Sequence, residues 1–338
     1  MNNTLILIIL NLVGKIFSFI REMIFSFYYG TGPITDAFNT STTAATLIFS
    51  VITYALSKTY IPTYNEVLKK SGEESGEQFT NNLLNFSLFL TTAIMIVGFT
   101  FAPAIVKLFA AGYTGEKLKI ATSFMRAIIL TIYPNIYAAI FSAYLQIKGN
   151  FLTPALPLII LNIILAITVA ISNGNVRTMT IGIFLAYFIQ FIMFPRAIKK
   201  TGFKRGKIRF SFDENVKKII ILSLPTTFSM AAVYVSTIVD QSFASLVAPD
   251  GGVSVVNYAL KILRIVSSTF IVPFQITAYP IIGKMVADND IKGMKDLTSK
   301  TLVKIMLLFI PSIIGMMVLA EPIISFVYYR GEFTYNDM

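Results

Sequence analysis

The 338-residue chain contains no cysteine and no histidine. Without cysteine there is no disulfide framework and no thiolate metal site. Without histidine the commonest general base and metal ligand is missing. No Ser/His/Asp, Cys/His or metal-ligand constellation can therefore be assembled. Charge is also scarce: 13% of residues are charged against 55% hydrophobic, and the mean hydropathy is +0.72. That balance excludes an ordinary soluble domain and describes an all-α polytopic membrane protein. A nucleotide-binding P-loop is absent, so the sequence gives no support to ATP-driven transport within the chain. A membrane enzyme working through carboxylates would have only Glu22, Asp36 and Asp240 to use, and these sit on a repeat that looks mechanical. The expectation is a transporter rather than an enzyme, with no cofactor and no metal.

What the chain has in quantity is long apolar runs. A spanning helix needs about 20 mostly apolar residues. Nine stretches qualify: 5–29, 37–60, 83–109, 120–147, 152–172, 179–198, 219–247, 253–282 and 302–329. Pro134, Pro157, Pro225, Pro273 and Pro311 fall inside them and predict kinks. The first run holds charges, lacks a small-residue cleavage site and is followed by further spans, so it does not read as a cleavable signal peptide. The net charge of +11 would suggest nucleic acid in a soluble protein. Here the basic residues follow the even-numbered spans (Lys58, Lys69, Lys70; Lys148; the run 199–218; Lys284, Lys292, Lys295, Lys300), whereas alternate loops hold only Lys117, Lys119, Arg177 and Arg330. The positive-inside rule then places the N-terminus and the even-numbered loops in the cytoplasm, with no nucleic-acid partner. The run 199–218 is most simply an orientation signal; binding of anionic lipid headgroups is its second reading.

The chain also repeats itself. A shift of 218 lays Ser18, Glu22, Asn39, Ser50 and Pro62 on Ser236, Asp240, Asn257, Ser268 and Pro280, and superposes the turns 30–35 and 248–253. A shift of 219 brings Pro103 and Gly112 onto Pro322 and Gly331. Internal duplication is a common build of secondary transporters, and an even number of spans in the first unit makes this repeat parallel. The predicted organisation is a six-helix lobe over 1–200, a basic linker over 201–218, and three helices over 219–338 that form the first half of a second lobe. The mates of spans 4 to 6 are missing, which predicts a truncated second lobe and keeps open an inactive membrane scaffold.

Several charges stand inside spans, where each costs roughly 2.5–3.5 kcal/mol on insertion scales. Lys15, Arg21 and Glu22 lie in the first, Asp240 in the seventh, and Lys261 and Arg264 in the eighth. Such groups face a protein interior or a hydrated cavity. The second span carries Asp36, Asn39, Thr43, Thr46, Ser50, Thr53 and Ser57 at alternating steps of three and four, which puts them on one face. Asn257, Lys261, Arg264, Ser268 and Gln275 do the same in the eighth, and Ser229, Ser236 and Asp240 add to it from the seventh. Two readings compete: hydrogen-bonding glue between helices, or a cavity whose cations bind an anionic substrate. Glu22 and Asp240 are candidate ion-pair partners for Lys261 and Arg264. Lys15 and Arg21 fall on Val233 and Val239 in the repeat, so these cations belong to the first lobe alone and are the preferred substrate-facing pair. They do not share a face on a straight helix, and Gly14 offers a place to bend.

The stretch Gly14–Phe38, GKIFSFIREMIFSFYYGTGPITDAF, resembles the first-helix signature of the MurJ (MviN) lipid II flippases, in the multidrug/oligosaccharidyl-lipid/polysaccharide (MOP) superfamily. VDQSFAS (239–245), VSVVNYALKI (253–262) and YYRGEFT (328–334) match that family's spans 7 to 9 in order. The resemblance implies two six-helix lobes around a central cavity, and two further C-terminal helices. It implies transfer of a lipid-linked peptidoglycan precursor between leaflets by alternating access. It maps the cavity cations to Lys15, Arg21 and Lys261, with Arg264 beside them, and the early acidic residue to Asp36 as a gate or ion-pair partner. Implied partners are the lipid-linked precursor, membrane lipids, a coupling ion or membrane potential, and the cell-wall synthesis machinery. Two departures bear on the substrate. Lys15 stands where the family usually has arginine, which removes a bidentate fork, and the basic residue expected near Phe49 or Ser50 is absent. Flippases for teichoic-acid or capsular oligosaccharide lipids are the alternative, and a drug/cation antiporter, which wants an acidic cavity, comes third.

Overall fold

The structure is a computed structural model. It describes residues 3–338 apart from Ser211 and Pro249, and side chains throughout that range except at 3–8, 11, 226, 229–232, 268–270, 272–277, 279–280, 283–284 and 287. The sequence expectations for Ser229, Ser268, Pro273, Gln275, Pro280 and Lys284 fall on side chains outside the described set.

Among the described residues the chain is helical and has no strand. The helices are α1 (Asn3–Tyr29), α2 (Pro33–Thr100), α3 (Ala102–Phe109), α4 (Gly115–Ile129), α5 (Ile132–Ile147), α6 (Leu152–Ala155), α7 (Pro157–Ser172), α8 (Val176–Phe191), α9 (Met193–Lys200), α10 (Glu214–Val247), α11 (Gly252–Ala287), α12 (Ile291–Val318) and α13 (Ala320–Tyr328). Proline sets several of these boundaries. Pro103, Pro134, Pro157, Pro195 and Pro322 each sit in the first turn of a helix that restarts after a short break. A proline has no N–H to donate and its ring strikes the carbonyl four residues back, so the preceding helix ends just before it. The run 120–147 is thus divided at Leu130–Thr131, four to three residues ahead of Pro134. Pro62, Pro225 and Pro311 stay inside their helices.

The second and third predicted spans share α2. Its helical geometry fails at Gly72, whose φ of 83° and ψ of −179° belong to a region open essentially to glycine. The two limbs fold back on each other there: the Tyr60 and Thr80 hydroxyls meet at 2.7 Å, and the Tyr60 and Phe79 rings stack. The basic segment Lys69–Lys70 is therefore the helical tip of a hairpin and not an extended loop.

One core joins α1 to α9. Helices α4 and α5 pack on α2, α7 lies between α1 and α8, and Phe124, Met125, Ile128, Ile132, Ile136 and Tyr144 are buried at the centre. Helix α1 runs unbroken through Gly14, the place where the sequence would permit a bend. A Cβ there would come within 2.9 Å of Leu158 on α7, so Gly14 permits close packing. Helix α10 runs antiparallel along the first limb of α2. Gln241 donates to Thr43 at 3.1 Å, Tyr234 and Ser50 share a 2.6 Å hydrogen bond, and Lys218 pairs with Glu66 near the hairpin tip. Hydrogen bonds from Lys218 and Lys70 hold the Glu66 carboxyl down at about 2. Helix α12 packs on α11 and has no buried residue among those described.

Among the described residues, five helical stretches are long and apolar enough to cross a membrane: Pro33–Thr100, Gly115–Ile147, Leu152–Ser172, Val176–Lys200 and Ile291–Val318. Helix α1 has the length but carries Lys15, Arg21 and Glu22, and α10 and α11 are interrupted by residues outside the described set.

Candidate functional site: a latched end and a charged seam

The end of the bundle opposite the hairpin tip is tied shut by contacts between α1–α4 and α10–α13. Asp36, in the first turn of α2, is fully buried. Its carboxylate accepts from Lys117 Nζ (2.6 Å), Gly251 N (2.8 Å), Ser254 N (2.7 Å) and Ser254 Oγ (2.5 Å). The first N–H groups of a helix have no partner within it and carry the positive end of its dipole. Asp36 thus caps α11 from another helix, while Lys117 balances its charge. Tyr258 donates to Gly30 O at 3.2 Å, and Thr31 donates to Asp337.

The flanking ties are reciprocal. Gly112 N donates to Ser245 Oγ at 3.1 Å, and a Cβ on Gly112 would lie 2.2 Å from Ser245 O. Glu332 N donates to Phe27 O at 2.9 Å, and a Cβ on Gly331 would lie 2.2 Å from Phe27 O. Phe27 and Ser245 are 218 positions apart, and Gly112 and Gly331 are 219 apart. Each turn therefore closes on the end of the helix that starts the other unit. Asp36 and Ser254 are themselves 218 positions apart.

Below this latch lies a charged seam between α1 and α11. Glu22 is buried and accepts from both Arg21 and Lys261. The Lys261 ammonium also stands over the Tyr258 ring, 5.3 Å from its centroid. A buried carboxylate shared by two cations leaves a net positive cluster. Lys15 and Arg264 are exposed, and neither has an ion-pair partner among the described residues. At 1.5 Å of rise per residue, Lys15 lies about 10 Å, and Arg264 about 4.5 Å, further toward the hairpin end. Between α1 and α11 the described hydrogen bonds and ion pairs stop at Glu22–Lys261, whereas the α2–α10 contact continues to Glu66–Lys218.

The residues singled out from the sequence separate accordingly. Arg21, Glu22 and Lys261 come together, and Lys15 stands apart from Arg21. Asp240 is exposed and receives only a 3.5 Å contact from Ser236. Thr43 and Ser50 face α10 as interhelical hydrogen-bond partners. Asn39 is buried with its amide nitrogen unpartnered, and the Asn257 amide donates within its own helix to Val253 O. Ser268 lies outside the described side chains. The sequence reading singled out none of Lys117, Ser254 and the two turn glycines as site residues: Lys117 and the glycines lay in loops and turns, and Ser254 lay at the start of the eighth span. The repeat offset was the signal for Ser254 and the two glycines, since it pairs Asp36 with Ser254 and Gly112 with Gly331; Lys117 had none.

The arrangement has known counterparts. The model of the family described as "Lipid II flippase MurJ" matches residues 25–338. The probable lipid II flippase MurJ of Rickettsia prowazekii is 26% identical over 98% of this chain and 66% of its own length. That of Aquifex aeolicus is 25% identical over 97% of this chain and 64% of its own. This chain thus spans slightly less than two thirds of the length of these relatives. Among solved structures, a lipid II flippase MurJ in an inward closed conformation shares the fold with a TM-score of 0.80, at 24% identity over 98% of this chain and 69% of that one. An inward-facing MATE-family multidrug transporter of the MOP superfamily follows at 0.76, with 16% identity over 97% and 77% of the two chains. With a family match that takes in all but its first 24 residues, the chain is a multi-pass membrane protein that belongs to the MurJ lipid II flippase family.

Proposed function

We propose that the chain serves a flippase that carries an undecaprenyl-pyrophosphate-linked peptidoglycan precursor, lipid II, from the inner to the outer leaflet of the bacterial inner membrane. The latched end is then the outer side, the hairpin tip and the N-terminus are cytoplasmic, and the structure is a state closed to the outside. The carrying observation is the positive seam immediately inside the latch. Arg21 and Lys261 share one buried carboxylate, and Lys15 and Arg264 stand exposed on the inward side without acidic partners among the described residues. A pyrophosphate entering from the inner leaflet meets Lys15 and Arg264 first. It then competes with Glu22 for Arg21 and Lys261, which suits charge-assisted, bidentate capture by the arginines. Release of those cations frees the two units to part at the Asp36 latch and close at the hairpin end. The lobe boundaries at 1–200, 201–218 and 219–338 describe the moving parts. A coupling ion or the membrane potential supplies the drive, and the cell-wall synthesis machinery receives the product.

The test is export in cells depleted of their own flippase and supplied with the full-length protein. Arg21→Ala or Lys261→Ala is expected to lower outer-leaflet lipid II by at least about tenfold, as loss of a charge-assisted contact implies. Export at the unsubstituted level would remove that residue from the site.

One observation favours a second reading. Ser50, near the place where a further cation is expected, is committed to Tyr234 across the α2–α10 interface. A site with fewer cations there suits a teichoic-acid or capsular oligosaccharide lipid. Exchange of the accumulated lipid species on depletion would show it.

A further inference from the structure

The connection between α9 and α10 has a construction that an orientation signal does not need. Residues 203–210, 212 and 213 form no helix, yet they are held by three asparagines at the start of the second limb of α2, two bonding the backbone and one the Asp213 carboxylate. Asn81 donates to Lys204 O at 3.0 Å and accepts from Gly206 N at 2.8 Å. Asn85 donates to Lys207 O at 3.0 Å, and Asn82 donates to Asp213 at 2.6 Å. Arg205 is spent on the same ladder, reaching the Asn85 side chain at 2.7 Å. Asp213 then caps α10 through Val216 N at 2.8 Å.

The strap leaves a particular set of groups unspent. Ile208, Phe210 and Phe212 are 67%, 62% and 51% exposed. They alternate with Lys207 and Arg209, a period that separates apolar from polar groups along an extended chain. Phe210 and Phe212 rest against Phe86, and Phe210 against the exposed Phe89, so the aromatic side continues onto α2. Lys204, Lys207 and Arg209 are exposed and have no acidic partner among the described residues. The ladder sits at Asn81–Asn85, where the third apolar run begins and the chain enters the membrane. A rigid backbone thus offers aromatic groups and unneutralised cations together at the depth of lipid headgroups.

We propose that the 203–213 strap is a binding site for anionic phospholipid on the hairpin side of the membrane, with Phe210, Phe212 and Ile208 inserted among the acyl-chain ends and Lys204, Lys207 and Arg209 on the phosphates. Aromatic side chains favour this interfacial level, and basic clusters at a membrane surface concentrate acidic headgroups. The site stands on its own residues and is independent of what the charged seam carries.

The chain has no tryptophan, so Phe210→Trp introduces a single fluorophore. The full chain carrying it is placed in vesicles of phosphatidylcholine and phosphatidylglycerol in which only one of the two lipids is brominated. Brominated phosphatidylglycerol is expected to quench at least about threefold more than brominated phosphatidylcholine at equal mole fraction. Adding Lys204→Gln, Lys207→Gln and Arg209→Gln should abolish that preference, whereas Lys292→Gln, Lys295→Gln and Lys300→Gln should leave it. Equal quenching by both lipids, emission unquenched by either, or equal loss in the two triple variants overturns the proposal. Ile208→Trp repeats the measurement should Phe210→Trp disturb the ring cluster.

Discussion

Asp36 concentrates four donors from three residues on one carboxylate. Hydrogen bonds to a charged group contribute roughly 1.5–3 kcal/mol each, so this residue outweighs the neutral ties around it. Asp36→Asn keeps the shape but loses the charge that Lys117 and the α11 N-terminus face. The expected result is a loosened latched end. The chain lacks cysteine, so nitroxides at Lys119→Cys and Tyr335→Cys report that separation without background, and Asp36→Asn should shift it toward longer distances. An unchanged distribution would reduce Asp36 to a local cap. Glu22 makes the complementary case. Removing one member of a buried ion pair costs about 3–5 kcal/mol because the partners keep their charge. Glu22→Gln should therefore lower thermal stability in detergent, and adding Lys261→Met should recover much of the loss. A double variant as unstable as the single one would show that Glu22 acts through something other than Lys261. The sequence made Asp36 legible as an acid at a helix start. It did not reveal Lys117 as its partner, because the two are 81 positions apart and nothing local links them.

Among the elements, proline made the breaks before α3, α5, α7, α9 and α13 readable in principle, since its effect is confined to one turn. The hairpin at Gly72 was harder: the flanking Lys, Glu and Ser residues are compatible with helix, and only one residue leaves helical geometry. The two turn glycines became readable only as a pair, through the repeat. They make a direct prediction. In Gly112→Ala or Gly331→Ala a methyl group would stand 2.2 Å from a carbonyl oxygen of the other unit, which no flexible side chain can relieve. Each should displace the latch contact and lengthen the same nitroxide distance, and the double variant should do so more than either. Alanine at Gly115, which has open space around its Cβ position, supplies the comparison for backbone strain alone. Equal behaviour of all three would argue against close approach as the reason for glycine.

On the scale of the whole molecule, the repeat and the packing part company. Leu83 and Leu84 on α2 are buried beneath α4 and α5, while Leu302 and Val303, 219 positions on, are about half exposed on α12. No described residue takes the place of α4 and α5 over α12. In the function proposed above, the α1–α11 seam is the feature that would set this bundle apart from a passive scaffold. Its most direct test is binding of undecaprenyl pyrophosphate against undecaprenol by the purified full chain, compared with Arg21→Ala and Lys261→Ala. The account predicts that each variant loses about tenfold or more in affinity for the pyrophosphate and holds undecaprenol as before. Equal affinity of all three proteins for the pyrophosphate would contradict it.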